Sequence, residues 1–446
     1  MNNTINKLLE RLKQNFMLKI FYRLPFVPWL YNTVLAFLGA VIYGFPSRKI
    51  FVVGITGTKG KSTVVELIGY ILKFSGKKAA LLSSVGMEVA GQREDKPLDN
   101  TMPGRFFIQQ FLSRAVEAGC QYAIIEVTSE GVKLNRHLFI NWSAAIFTNL
   151  APEHIEAHGS FEKYREAKLK FFRYAASLKL IPHFDGRQSE GKNLFFINKD
   201  DGNAQYFIKA VNLLKFNFNN IVLYGKSELS SPALPGEFNQ YNIGAAAAFV
   251  KSQGINEEVI EKALMEFPGV PGRMEFIQRE PFAVVVDYAH TPDSLREVYK
   301  TLRSIFWKSN FQRKFDFPKL ICVLGAAGGG RDKWKRPEMG KIAAEYCDEI
   351  ILTNEDPFDE NPEEIIKKIE KGLISGYPIS QRISDIPKLN KILDRKEAIK
   401  KAISLAKDGD VVVITGKGSE KWIHLERGRR IPWSDKETTI DILNNK

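Results

Sequence analysis

Lys61 and Ser62 close the run Lys49-Ile-Phe-Val-Val-Gly-Ile-Thr-Gly-Thr-Lys-Gly-Lys-Ser-Thr63, in which an apolar strand enters a glycine-rich loop and then a helical segment, Val64 to Phe74. These residue types suit a phosphate cradle. Gly57 and Gly60 let the backbone approach an anion, the amides around Thr58, Lys59 and Thr63 and the Lys61 ammonium meet phosphate oxygens, and the Ser62 hydroxyl reaches a magnesium ion. The general phosphate-loop pattern asks for glycine at position 55, where Ile55 stands; the glycines fall instead at Gly54, Gly57 and Gly60. A second strand ends in a carboxylate, Ile124-Ile-Glu-Val-Thr-Ser129, and Glu126 is an oxygen ligand suited to the same hard cation. Alone, such a glutamate is more commonly solvated or a helix cap; its pairing with the loop favours the metal. A third run, Thr148-Asn-Leu-Ala-Pro-Glu-His154, continues through His158-Gly159 to Tyr164-Arg-Glu-Ala-Lys168, placing two of the chain's six histidines between a strand and a helix that carries Lys168.

The elements that must position these groups alternate. Ala79-Ala-Leu-Leu-Ser, Tyr122-Ala-Ile-Ile-Glu, Ala144-Ala-Ile-Phe-Thr, Ala283-Val-Val-Val-Asp, Leu320-Ile-Cys-Val-Leu, Glu349-Ile-Ile-Leu-Thr and Asp410-Val-Val-Val-Ile-Thr read as buried parallel strands separated by helical segments. That alternation predicts an α/β fold with ligands at the carboxyl ends of strands. A chain of 446 residues exceeds one ordinary core. The Pro/Gly-rich run Phe267-Pro-Gly-Val-Pro-Gly272 marks a boundary. The expected organisation is an extension over 1–48, a phosphate-loop ATPase domain with a mostly parallel sheet over 49–271, and a Rossmann-like α/β domain over 272–446.

With 44% hydrophobic and 26% charged residues the composition is globular. The net charge of +13 is matched by no base-reading module, so nucleic acid is not expected and anionic nucleotide substrates account for the sign. Cys120, Cys322 and Cys347 are widely spaced, offer no disulfide framework or metal spacing, and read as core residues of a cytoplasmic protein. At the front, Lys7, Arg11, Lys13, Lys19 and Arg23 face one acid, Glu10, and Leu24 to Ser47 carries no charge. Residues 1–47 are either a basic anchor with peripheral contact at the inner face of the plasma membrane or a helix packed on the first domain. No small-residue cleavage site marks a signal peptide.

The loop form G-T-x-G-K-[ST] resembles that of the Mur ligase and folylpolyglutamate synthetase superfamily of ATP-dependent amide-bond ligases, and the histidine run resembles its T-N-L-x-x-D-H-L segment, with Glu153 in place of Asp. The resemblance extends from Ile50 to Ile440. Asn239 and Asn242 match an asparagine motif near the nucleotide, and Gly272-Arg-Met-Glu275 matches G-R-x-E. Asp287-Tyr-Ala-His-Thr-Pro292 matches the D-Y-A-H-x-P signature of the MurE type, where folylpolyglutamate synthetases have D-x-A-H-N-P. Gly325-Ala-Ala-Gly-Gly-Gly-Arg-Asp-Lys333 is similar to the MurE glycine-rich block, and Gly416-Lys-Gly-Ser-Glu420 to G-K-G-x-E.

The resemblance implies ATP and two Mg2+ ions. It assigns Asn242, Arg273, Asp287 and His290 to the nucleotide, and Ser62, Glu126, His154 and a carbamylated Lys168 to the metals. Lys333 would reach the γ-phosphate as the C-terminal domain closes. Thr101, Met102, Thr128 and Arg136 would contact a muramyl peptide, and Arg331, Asp356, Gly416 and Glu420 the incoming amino acid. The implied reaction phosphorylates the D-glutamate carboxylate of a muramyl dipeptide, nucleotide- or lipid-linked, and the amine of a free diamino acid attacks the acyl phosphate. Two departures bear on substrates. Glu355-Asp356-Pro357-Phe358 stands where D-N-P-R binds diaminopimelate, removing the arginine that would pair with a distal carboxylate and leaving diaminopimelate, lysine and ornithine all open. About 48 residues precede the ATPase strand, fewer than the uridine-binding domain of that family occupies. A folate-type polyglutamylating ligase and a ligase for a lipid-linked precursor are the alternatives.

Overall fold

A computed structural model of the protein describes residues 27–94, 101–153, 155–178, 193–213, 220–309, 318–375 and 388–445. The basic residues from Lys7 to Arg23 and His154 lie outside them. The described residues divide into two units, one within Met1–Lys61, Gly76–Leu150 and Arg165–Leu223, the other within Ser62–Ser75, Ala151–Tyr164 and Tyr224–Lys446.

In the first unit, β1 (Phe51–Thr56), β2 (Ala79–Ser83), β3 (Gly86–Val89), β4 (Gln92–Glu94), β5 (Tyr122–Glu126), β6 (Trp142–Phe147), β7 (Leu194–Asn198) and β8 (Asn220–Tyr224) form a sheet in the order β4-β3-β2-β5-β1-β6-β7-β8. Strands β2, β5, β1, β6 and β7 are parallel, and β3 and β4 extend the edge antiparallel. The parallel strands β2, β5 and β6 are buried along their whole length, which is why their sequences are continuous apolar runs rather than alternating ones. Gly54 in β1 allows close packing: a Cβ there would lie 2.4 Å from the Phe171 ring and 2.9 Å from Trp142.

The second unit repeats this logic with a different sheet. Strands β9 (Glu275–Gln278), β10 (Ala283–Asp287), β11 (Leu320–Leu324), β12 (Glu349–Leu352), β13 (Lys388–Lys391) and β14 (Val411–Thr415) are ordered β13-β12-β11-β14-β10-β9. All pairs are parallel except β9 with β10. Successive residues of β10, β11 and β14 feed two separate cores, Val285, Cys322 and Val413 on one face and Val284, Val323 and Val412 on the other. A short ladder joins β15 (Trp422–His424) and β16 (Arg430–Pro432). The expected α/β class with mostly parallel sheets is what the chain adopts.

The cysteine reading needs correction. Cys322 on β11 and Cys347, just before β12, are bonded as a disulfide with Cα atoms 6.2 Å apart, and Cys120 is the buried free thiol. Their 25-residue separation hid the contact because a helical crossover returns the chain to the neighbouring parallel strand. At the front, the helix Val27–Ile42 packs on the helix Arg105–Glu117. Among the described residues no helix is long and apolar enough to cross a membrane.

Candidate active site

The glycine loop follows β1, and sheet register delivers its partners. Glu126 ends β5 opposite Ile55, and Phe147 ends β6 opposite Thr56, so Thr148 and Asn149 emerge beside the loop. Thr148 Oγ1 donates to Lys59 O at 2.7 Å. Asn149 forms a two-way bond with Lys59, accepting from its amide at 2.9 Å and donating to its carbonyl at 3.1 Å. The Thr58 amide donates to Asn149 O at 2.8 Å. Gly57, at φ 153°, leaves no room for a side chain: a Cβ would sit 1.9 Å from Thr148 Oγ1. The sequence offered Thr148 and Asn149 only as the start of the histidine run, and their role as a brace is set by sheet order.

Two cations converge on this loop. Lys61 Nζ donates to Thr58 O at 2.8 Å and lies 3.7 Å from Glu126 Oε1, while Glu126 Oε2 accepts the Ser84 amide at 3.0 Å. Lys168, on the helix Phe161–Ser177, is 1% exposed and donates to Gly57 O at 2.7 Å. Ser62 and Thr63 open the helix Lys61–Phe74 and are buried. The arrangement fits a magnesium nucleotide: a cradle that a single methyl group would fill, a lysine at the following helix start, and a carboxylate at a neighbouring strand end. Among the described residues no three His, Cys, Asp or Glu side chains form a metal-binding group.

The muramyl-peptide candidates lie on segments of the same unit. Arg136 donates to Met102 O, and Met102 is fully buried against Gly131, whose added Cβ would lie 2.3 Å from its sulfur. Thr128 caps the helix Ser129–Lys133, accepting from the Gly131 amide at 3.1 Å. Thr101 is half-buried. Burial pulls the Arg136 guanidinium down from its ordinary value, opposed by the nearby Glu130 charge. The adjoining His137 is fully buried with neither ring nitrogen bonded among the described residues, and desolvation, helped by Lys170, lowers it to about 3.

In the second unit the strand ends carry a charged network. Asp287, at the end of β10, accepts the Met274 amide at 2.7 Å on one oxygen and the Ala289 amide at 2.6 Å on the other, pinning the Gly272–Glu275 turn. Arg273 lies over the Tyr288 ring at 4.2 Å, and the Tyr288 hydroxyl donates to Glu420 Oε1 at 3.0 Å. The Glu420 charge, then burial, holds that phenol well above its ordinary value. His290 Nδ1 is 2.8 Å from Tyr288 O, and its Nε2 is 3.4 Å from Glu153 Oε1. Asn242 and Asn239 are buried and bonded to one another at 2.9 Å.

Lys417, fully buried, bridges Asp356 at 2.8 Å and Glu420 at 2.5 Å. Burial pulls its ammonium down, but Glu420 and Asp356 more than offset this, so its pKa is raised. Gly416 passes so close to Glu355 that a Cβ would lie 2.4 Å from Oε2, an oxygen with no hydrogen-bond partner among the described residues. Burial, then Asp356, raises Glu355 to about 7. Phe358, at φ 50°, stacks on His424 with ring centres 5.0 Å apart. Arg331 and Lys333 are exposed, the latter with Nζ 3.3 Å from Glu360. Sequence reasoning missed the buried pair Arg395 and Asp435, joined by two bonds of 2.7 Å, with Arg395 also donating to Thr415 O at 2.8 Å. No local motif announces a pair 40 residues apart.

The sequence matches the Mur ligase middle domain over residues 55–250 and the Mur ligase glutamate ligase domain over residues 272–418. It is 35% identical over 438 residues to a UDP-N-acetylmuramoyl-L-alanyl-D-glutamate--2,6-diaminopimelate ligase of Syntrophomonas wolfei subsp. wolfei, covering 93% of this chain and 82% of that one. A protein of the same name from Aquifex aeolicus is 36% identical, covering 90% of this chain and 79% of its own length. A solved structure titled as such a ligase aligns with a TM-score of 0.55 at 27% identity, over 89% of this chain and 78% of that chain. With both family domains matched and this identity sustained along the chain, the protein belongs to the Mur ligase family of ATP-dependent acid–amino-acid ligases.

Proposed function

We propose that this protein adds a diamino acid to UDP-N-acetylmuramoyl-L-Ala-D-Glu in peptidoglycan synthesis, with cleavage of ATP to ADP. The observation that carries the reading is the braced glycine loop with Lys61 at its end and buried Lys168 directed at Gly57 O, 2.7 Å away. Gly57 to Thr63 and Lys61 hold the ATP phosphates, with Asn242, Arg273 and His290 on the nucleotide and Lys333 on the γ-phosphate. Asp287 acts by fixing the turn that carries Arg273. Ser62, Glu126, His154 and a carbamylated Lys168 would hold two magnesium ions, which would supply charge neutralisation of the phosphates. Thr101, Met102, Thr128 and Arg136 bind or shape the muramyl-peptide site. Arg331, Asp356, Gly416 and Glu420 orient the amino acid so that its amine meets the acyl phosphate. No side chain forms a covalent intermediate; positioning and charge stabilisation supply the acceleration. The work is divided between residues 49–271 and 272–446, in the cytoplasm, and the finer reading adds peripheral contact with the plasma membrane and a lipid-linked acceptor as the second substrate form.

The diamino acid added is diaminopimelate, which the relatives' names give, or lysine, for which the residue at position 358 leaves room. Phe358, stacked on His424, presents no cation to a distal carboxylate. ADP release by purified protein with UDP-N-acetylmuramoyl-L-Ala-D-Glu and each of diaminopimelate, lysine and ornithine, with product masses read in parallel, tests both statements. A tripeptide mass is expected with at least one of them, and the one that gives it names the amino acid. No new mass with any, in protein that binds Mg-ATP, would refute the reaction.

A further inference from the structure

The helix Val27–Ile42 has its large side chains on the wrong side for a helix packed on a domain. Its inward face is small and polar: Asn32, Ala36, Gly39 and Ala40 are the buried residues. Gly39 faces the backbone of the helix Arg105–Glu117, where a Cβ would stand 3.6 Å from Arg105 O and from Phe106 Cα. Two polar contacts fix the seat. Asn135 donates to Thr33 Oγ1 at 2.9 Å, and Arg105 donates to Asn32 Oδ1. Trp29, Leu30, Val34, Phe37, Leu38 and Val41 lie on the other side, each 42–55% exposed. Positions 30, 34, 37, 38 and 41 follow helical spacing, so they form one continuous outward stripe. A soluble surface rarely exposes so many large apolar side chains together without a partner.

Length and charge say which partner fits. Sixteen residues give a helix about 24 Å long, short of the roughly 30 Å hydrocarbon core of a bilayer, so the helix does not cross one. The segment Leu24 to Ser47 carries no charged residue, and it is bounded by cations: Arg48 and Lys49, both exposed, on one side, and five basic residues against one acid in the first 26 on the other. Trp29 near its start and Tyr43 just after its end are the amphipathic aromatics that settle at headgroup depth. An uncharged apolar stripe between basic flanks complements an anionic bilayer surface, whereas a protein partner would be met by a polar rim that this stretch lacks.

We propose that the helix Val27–Ile42 docks the protein on an anionic lipid surface, lying in the plane of the interface with its outward stripe among the acyl chains. This gives the membrane contact of the functional reading a specific surface, and it stands or falls separately from the ligase reaction. The test is co-sedimentation of the full chain with phosphatidylcholine vesicles, with or without about a third phosphatidylglycerol, alongside the triple variant Leu30→Ser, Leu38→Ser, Val41→Ser. The expected result is binding at least about tenfold stronger to the anionic vesicles, lost in the variant at an unchanged melting temperature and an unchanged rate of ADP release with soluble substrates. Equal sedimentation of wild type and variant, or none by wild type, would overturn the proposal. So would a lipid-free dimer that the variant converts to monomer, which would make the stripe an interface between two copies of the chain. Failure of ligase turnover alongside intact vesicle binding would count against the reaction and leave the docking in place.

Discussion

The glycine loop of the first unit and the Asp356–Glu420 region of the second are both ligand-facing candidates at the ends of parallel strands, yet they are held in different ways. The loop is clasped by neutral hydrogen bonds from an adjacent segment, Thr148 and Asn149 on Thr58 and Lys59, and the two lysines that reach it donate to backbone carbonyls. The other region is shaped by buried charge: Lys417 between Asp356 and Glu420, Arg395 on Asp435, and Glu355 beside Gly416. Neutral contacts tolerate local change because each is worth about 1 kcal/mol net, whereas removal of one partner of a buried ion pair strands the other charge and costs several times more. The second region is therefore the more fragile scaffold and the more sensitive to pH.

The largest effect should come from Arg395→Ala, which leaves Asp435 buried and unpaired; a loss of about 3–5 kcal/mol in urea unfolding is expected, and a loss below about 1 kcal/mol would remove the contrast. Next, Lys168→Ala should lower turnover by about 10²–10³ with little change in melting temperature, and short carboxylic acids should restore part of it. Unchanged activity would remove Lys168 from the chemistry.

Acid–base behaviour separates the two units more finely. The unfolded chain protonates His137 at 6.5 while the folded protein refuses the proton until about pH 3, so this group makes stability fall as pH is lowered through that window. Glu355 acts in the opposite sense: raised from 4.5 to about 7, it binds a proton in the folded state that the unfolded chain has released. Its contribution is fully present below pH 4.5 and is lost as pH rises through 7. Glu355→Gln should then be more stable than wild type above pH 7 by about 1–3 kcal/mol, with the gap closing below pH 4.5. His137→Leu should flatten the acid limb. A parallel pH profile for wild type and both variants would contradict the assignment. The smallest effect is Phe358→Arg, expected to raise kcat/KM for diaminopimelate relative to lysine by about tenfold; an unchanged ratio would place specificity elsewhere.

Legibility followed the same division. Gly54, Gly57, Gly60, Lys61 and Glu126 were readable because a strand, a loop and a helix start are written consecutively, and parallel pairing of β5 with β1 then brings the carboxylate to the loop. The α/β class was readable from continuous apolar strands. What the sequence concealed was pairing across distance: Arg395 with Asp435, Cys322 with Cys347, and Asp287 with the Met274 amide. Their residue types announce charge or polarity, but only the folded backbone says which donor faces them. Helix Val27–Ile42 was legible as apolar, while the burial of its small face and exposure of its large one depended on Gly39 meeting the helix Arg105–Glu117.

The clasp of Thr148 and Asn149 on the glycine loop also has a consequence in time. Because a neighbouring strand end already sets the loop's shape, capture of a nucleotide need not wait for a segment to become ordered, and the entropy of arranging the cradle is spent at folding rather than at binding. Association of a fluorescent ATP analogue in stopped flow should accordingly be a single phase whose rate rises linearly with concentration, and Asn149→Ala should add a slower phase that no longer depends on concentration.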